Sequence, residues 1–187
     1  MVDTFGSGGW EWLNPPPRWT ADGKGLTVTA GQGTDFWRVT HYGYIRDSGH
    51  VLGRRFTGDL RMTATFSADY RERYDQAGLM IRVDERTWIK AGLELDERHL
   101  VSVVVTRETS DWSMTPLPAP PEGQVTIELE RSGDAVFVRY GTDGRADIPL
   151  RLAALPADAE VLAGPMCAAP TGSGFEVRFT ELLVHPG

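Results

Sequence analysis

The residues best equipped for chemistry in this chain fall on one phase of a strict alternation. Successive side chains of a β-strand point to opposite faces, so every second residue shares a side. Between Gln76 and Val83, one side receives Ala77, Leu79, Ile81 and Val83, and the other Gln76, Gly78, Met80 and Arg82. In the next alternating run, Ile89, Ala91, Leu93 and Leu95 oppose Trp88, Lys90, Gly92, Glu94 and Asp96. In a third, Val101, Val103 and Val105 oppose Ser102, Val104 and Thr106. If these strands are neighbours, Gln76, Arg82, Trp88, Lys90 and Glu94 share a surface. Amide, guanidinium, ammonium and carboxylate give directed hydrogen bonds, an indole gives a stacking plane, and glycines leave room. That is the chemistry of a site for a small polar ligand such as a sugar. The competing reading is a solvated sheet face on which Lys90–Glu94 and Arg82–Glu94 pairs are worth only ~0–1 kcal/mol each.

A second cluster lies upstream. Asp35, Trp37, Arg38, His41 and Tyr42 belong to the run Thr34-Asp35-Phe36-Trp37-Arg38-Val39-Thr40-His41-Tyr42-Gly43-Tyr44-Ile45-Arg46-Asp47-Ser48-Gly49-His50. Aromatic faces stack on sugar C–H groups, so these residues suit the rim of a sugar site. The alternative places Phe36 in the core and holds His41 and His50 on backbone carbonyls. His41 and His50 lie nine positions apart without the Cys or Asp/Glu spacing of a zinc site, so no metal is expected. Nor does any motif call for a cofactor: a nucleophile elbow, a phosphate loop and a dinucleotide fingerprint are all missing.

Glu94 is the candidate catalytic residue. Glu94-Leu95-Asp96 resembles the Glu-x-Asp core of retaining laminarinase-type glycosidases, in which a second carboxyl ~5–5.5 Å from the first acts as acid and base. The partner glutamate of that signature falls here on Arg98 or His99, which leaves the pair incomplete. With Lys90 nearby, Glu94 is expected to stay ionised, as suits a base better than an acid.

The elements that must position these groups are strands. Alternating or apolar runs at 25–30, 59–66, 77–83, 88–95, 100–106, 124–130, 135–140, 160–167 and 175–184 are separated by turn pairs such as Asp22-Gly23, Ser132-Gly133 and Asp143-Gly144. The 150–155 segment has the nearest thing to a helical pattern and is too short for more than a turn. Such a chain of short strands, with 21 Gly and 12 Pro, reads as a sandwich or barrel. At 187 residues a single domain, 1–187, is the default, and the proline-rich 116–121 reads as a surface loop, not a linker. A net charge of −7 argues against a nucleic-acid partner. No run approaches the roughly 18 apolar residues of a membrane span. Residues 1–6 show no basic and apolar leader pattern, and there is a single cysteine, Cys167, so a cytoplasmic protein is expected. Long edge strands would allow a homodimer.

Several stretches together resemble a known family: Asn14-Pro15-Pro16 followed by Trp19; the 34–50 run; Tyr74-Asp75-Gln76-Ala77-Gly78-Leu79-Met80-Ile81-Arg82; Trp88-Ile89-Lys90-Ala91-Gly92-Leu93-Glu94; and Ser110-Asp111-Trp112-Ser113. They are similar, in order and over nearly the whole chain, to the family that includes the yeast regulation-of-enolase protein. The resemblance implies an all-β, concanavalin A-like lectin/glucanase jelly roll of two antiparallel sheets, one concave. It adds Asp111 and Trp112 to the polar and aromatic set and brings no established reaction. Three functions compete on this basis. The first is carbohydrate recognition on the concave face, with Trp37, Trp88 or Trp112 stacking on the ligand. The second is a glycan-active enzyme using Glu94 with His41 or Asp111. The third is a regulatory module that contacts another protein through an exposed apolar patch.

Overall fold

The computed structural model describes residues 8–117 and 123–187. The proline-rich residues 118–121 and the N-terminal residues 1–7, on which the loop and leader expectations fell, lie outside that range.

Strand alternation pays off first in β7 (Leu60–Ala68), where Leu60, Met62, Ala64 and Phe66 are all buried. The sheet around it runs, in order, β14 (Ile148–Ala154), β13 (Ala135–Gly141), β12 (Val125–Ser132), β7, β16 (Glu176–Pro186), β3 (Gly25–Thr29) and β2 (Arg18–Asp22). The facing sheet runs β1 (Glu11–Leu13), β6 (His50–Phe56), β15 (Val161–Ala168), β8 (Gln76–Arg82), β9 (Thr87–Asp96), β10 (Arg98–Arg107) and β11 (Thr109–Pro116). All named pairings in both sheets are antiparallel. Between the sheets lies one large apolar cluster. Ala77, Leu79 and Ile81 of β8, Ile89, Ala91 and Leu93 of β9, and Val101, Val103 and Val105 of β10 all enter it, as the alternation requires. Cys167 is buried in the same cluster, and burial pushes its thiol pKa up, as befits a packing residue.

The 150–155 segment is not a turn but most of β14, paired to β13 through Phe137↔Leu152 and Val138↔Arg151. Edge pairing with an existing sheet outweighs a weak local pattern.

The other face of the β8–β9–β10 sheet is covered rather than solvated. A two-stranded ribbon, β4 (Phe36–Arg38) with β5 (Ile45–Asp47), lies across it. Beneath the ribbon a second apolar cluster unites Phe36 and Trp37 with Val51, Met80, Trp88, Val104 and Met166. Gln76, Arg82, Lys90, Glu94, Ser102 and Thr106 are accordingly all buried. An exposed face carrying weak surface ion pairs is ruled out by that burial.

Candidate functional site

Three of the four polar residues expected to converge do so. Register places Gln76 opposite Glu94 and Met80 opposite Lys90 on β8 and β9, and Lys90 opposite Val104 on β10. Gln76, Lys90 and Glu94 therefore share one end of the sheet face, where Val104 also lies. With Asp35, Trp37, Tyr42, Tyr44, Tyr74, Trp112 and Pro170 they line a pocket of about 30 Å³. That is room for a water-sized group, and a larger guest would need the aromatic walls to part.

The floor is polar and connected. The Lys90 ammonium donates to the Gln76 side-chain oxygen at 2.5 Å and to the Phe36 carbonyl at 2.8 Å, and lies 3.6 Å from Asp35 Oδ1. Gln76 turns its amide nitrogen to the Tyr74 carbonyl (3.2 Å) and towards Asp35 Oδ1 (3.4 Å). Glu94 accepts from the Ser102 hydroxyl at 3.1 Å. Burial raises the Glu94 pKa from 4.5 to about 7; Lys90 and the Ser102 hydrogen bond pull it down, and Asp35 and Asp96 push it further up. Lys90 favours the ionised form, as expected, but desolvation outweighs that attraction, so Glu94 is less readily ionised than its neighbour alone would make it.

The walls are aromatic. Trp37 is 7% exposed and its indole N–H donates to the Thr40 carbonyl at 2.9 Å. The Tyr42 and Tyr74 hydroxyls lie 3.1 Å apart. Tyr74 has a left-handed backbone, φ 70°, and Arg73 lies over its ring at 4.7 Å while pairing with Asp96 at 2.7 Å. Burial, the Tyr42 hydrogen bond and the Tyr42 phenol lift the Tyr74 pKa to about 12.

The remaining expected site residues sit elsewhere, for physical reasons the folded chain makes plain. Trp88, expected to stack on ligand, is 1% exposed and packs edge-on against Phe36 inside the second cluster. Arg82 makes two 2.7 Å hydrogen bonds to the Asp47 carboxylate, mooring the ribbon, not a ligand. Arg38 moors the same ribbon at its other end: its backbone N–H donates to Ser110 Oγ (2.9 Å) and its Nε to the Glu108 carbonyl (3.1 Å). His41 is exposed at the ribbon's tip, against the Tyr42 ring, and does not line the pocket. Asp111 has the opposite parity from Trp112 and faces Arg151 of the other sheet at 3.7 Å. Asp96 is likewise outside the pocket, so the Glu-x-Asp pair is not assembled there. The glycines at 78 and 92 pair with each other, and a Cβ on either would sit 2.0 Å from a carbonyl oxygen of the neighbouring strand. They permit close backbone approach; they do not clear space for ligand.

Sequence reasoning missed Tyr44, Tyr74, Val104 and Pro170 as lining residues. Val104 was on the correct face by parity and was passed over because it is apolar. Tyr44 lies within the aromatic run 34–50, and Tyr74 opens the third motif. Pro170 had no local signal. His50 follows the structural alternative: its Nδ1–H donates to the Asn14 carbonyl at 2.6 Å, and Nε2 accepts from the Gly31 N–H at 2.9 Å. Among the described residues, no group of three or more His, Cys, Asp or Glu is placed to hold a metal ion.

Residues 12–186 match the family described as a protein of unknown function, DUF1349. The chain belongs to that family. Regulation of enolase protein 1 of Saccharomyces cerevisiae is 35% identical to this chain over 178 residues, covering 91% of this chain and 86% of that protein. The crystal structure of a functionally unknown protein from Saccharomyces cerevisiae superposes on this DUF1349 chain with a TM-score of 0.90 at 31% identity, covering 96% of this chain and 97% of that one. Carbohydrate binding module CBM66 from Bacillus subtilis superposes with a TM-score of 0.60 at 13% identity, over 95% of each chain. That last likeness establishes the fold alone. The expected concanavalin A-like sandwich stands.

Proposed function

We propose that this DUF1349 protein is a carbohydrate-recognising domain whose ligand enters the pocket between the β4–β5 ribbon and the β8–β9–β10 sheet. One observation carries this: aromatic walls from Trp37, Tyr42, Tyr74 and Trp112 stand over a floor of Asp35, Gln76, Lys90 and Glu94. Flat apolar walls suit sugar C–H faces, and mixed donors and acceptors below suit hydroxyls. The likeness to a carbohydrate-binding module supports the reading. A catalytic role for Glu94 draws less support, because neither His41 nor Asp111 lines the pocket with it. Titration calorimetry with indole fluorescence, against a panel of mono- and oligosaccharides at millimolar concentration, tests the proposal. Saturable heats accompanied by a change in Trp37 and Trp112 emission are expected, and silence across the panel would overturn it.

A second reading follows from the yeast relative's name and one observation outside the pocket. Phe137, Ile148 and Leu152 of β13 and β14 are exposed large apolar residues, and Phe137 pairs with Leu152 across the two strands. An apolar patch on an edge strand suits contact with another protein or with a second copy of the chain. Leu152→Arg should abolish any self-association seen by sedimentation, or any enolase capture, and leave sugar binding intact. Loss of neither on substitution would remove this reading.

A further inference from the structure

The aromatic walls of the pocket close on themselves. Trp37 meets Trp112 with ring centroids 6.4 Å apart and planes at 85°. Trp112 meets Tyr74 at 6.4 Å and 76°. Tyr74 joins Tyr42 through hydroxyls 3.1 Å apart, and Tyr42 returns to Trp37 at 5.6 Å and 74°. The three ring–ring contacts are nearly perpendicular, so the rings form a partial box; Tyr44 stacks on Tyr42 at 5.5 Å and 19°, and Arg73 covers one face of Tyr74, which leaves at most one face of each for the pocket. One wall can stack on a sugar C–H face, and the negative lobes of several π-faces together suit a compact alkylammonium group.

The floor has matching chemistry. Lys90 is balanced by Asp35 and occupied by the Gln76 oxygen and the Phe36 carbonyl. Glu94 has only the Ser102 hydroxyl as a hydrogen-bond partner and no dedicated cation, so the pocket holds one carboxyl more than it holds ammonium groups. A buried carboxyl in that position is ionised most readily by a cationic guest. Its raised pKa of about 7 agrees with a counter-charge that is not supplied from within.

We infer that the pocket receives its ligand by a protonated amine, seated in the aromatic box against the Glu94 carboxylate, which within the carbohydrate class proposed above makes the ligand an amino sugar. The choice of sugar rests on that earlier proposal; the cationic end rests on the ring geometry and the floor. Titratable groups around Glu94 are Lys90 and Asp96 on its own strand, Asp35, Tyr42 and Tyr44 from the ribbon segment, and Tyr70 and Tyr74 from the segment before β8. Asp96 is paired to Arg73, and Tyr44, Tyr70 and Tyr74 have pKa values raised above the ordinary phenol range. Glu94 is therefore the group that tunes cation affinity near neutrality.

Calorimetry on the full chain at about pH 7 should compare glucosamine, glucose, N-acetylglucosamine and tetramethylammonium chloride, with wild type and Glu94→Gln. Glucosamine should bind wild type about tenfold more tightly than the two neutral sugars, the difference expected of a charge-assisted hydrogen bond over a neutral one. Glu94→Gln should erase most of that preference. Tetramethylammonium, whose charge does not titrate, should bind wild type more tightly as pH rises through 7 and the variant without pH dependence. Glucose binding wild type as tightly as glucosamine would overturn the cationic assignment and leave the carbohydrate proposal standing. Tetramethylammonium binding with no response to any sugar would support the cation box and overturn the carbohydrate proposal. Silence from all four probes would overturn both.

Discussion

Glu94→Gln should stabilise the ligand-free protein above neutral pH and leave it nearly unchanged in acid. The carboxyl is 6% exposed, and burial is the largest cause of its rise from 4.5 to about 7. Over the interval between those values the folded chain holds a proton that the unfolded chain has released. The stability this contributes is fully present below the unfolded value and is lost as pH rises through the folded value. Each pKa unit is worth about 1.4 kcal/mol, so an ionised Glu94 costs the fold about 3 kcal/mol near pH 8 and less than about 1 kcal/mol near pH 5. Glutamine has nearly the same shape, keeps an acceptor for Ser102, and carries no charge to desolvate. Urea denaturation of both proteins at about pH 5 and about pH 8 should show the difference in unfolding free energy growing by about 2 kcal/mol in favour of the variant. A difference that is flat with pH, or a variant that is the weaker protein at the higher pH, would refute the desolvation of Glu94 on which the site's electrostatics rest.

His50 should titrate below its ordinary 6.5, because burial lowers its pKa and outweighs the hydrogen bond to the Asn14 carbonyl. Nitrogen-15 NMR should show the Nδ1–H tautomer, and this group's contribution to stability should fall as pH drops below about 6.5; a value at or above the ordinary one refutes the assignment. Arg82→Ala should destabilise by about 1–2 kcal/mol, since it removes the hydrogen bonds to the partly exposed Asp47 of β5, and should speed hydrogen exchange in β4 and β5 more than in the main sheets. Uniform exchange would show that the ribbon is not moored there. Trp112→Phe should cost at most about 1 kcal/mol, because the indole N–H is buried without a hydrogen-bond partner, whereas Trp112→Ala should remove a pocket wall and abolish binding. A large loss of stability from the phenylalanine variant, read by thermal unfolding, would indicate a partner for that N–H.

How much of this was legible beforehand differs between fold and site. Strict alternation in 77–83, 88–95 and 100–106 placed the core-facing residues correctly, because sheet parity leaves only two sides and the aliphatic residues choose one. Parity also brought Gln76, Lys90 and Glu94 to the same face. It could not say what lay above that face. Arg82, Trp88 and Arg38 looked like ligand groups because polar and aromatic residues on an inward face need partners, and a ligand is one source of partners. The β4–β5 ribbon proved to be the other source: Asp47, Phe36 and Ser110 satisfy groups that the sequence left open.

The sequence by itself determined an all-β chain, its core-facing residues and the polar phase of the central strands, since these follow from local alternation and burial of apolar surface, while the choice of a two-sheet sandwich over a barrel came from the family resemblance. Only the tertiary structure decided which of the polar residues hold the chain together and which are left to face a guest. That division depends on where a segment 35 to 72 residues away in sequence comes to rest, and contacts between distant segments leave no periodic trace in either one. The pKa of Glu94 was decided in the same way: its nearest charge in sequence suggested ionisation, and burial under the ribbon lifts it to about 7.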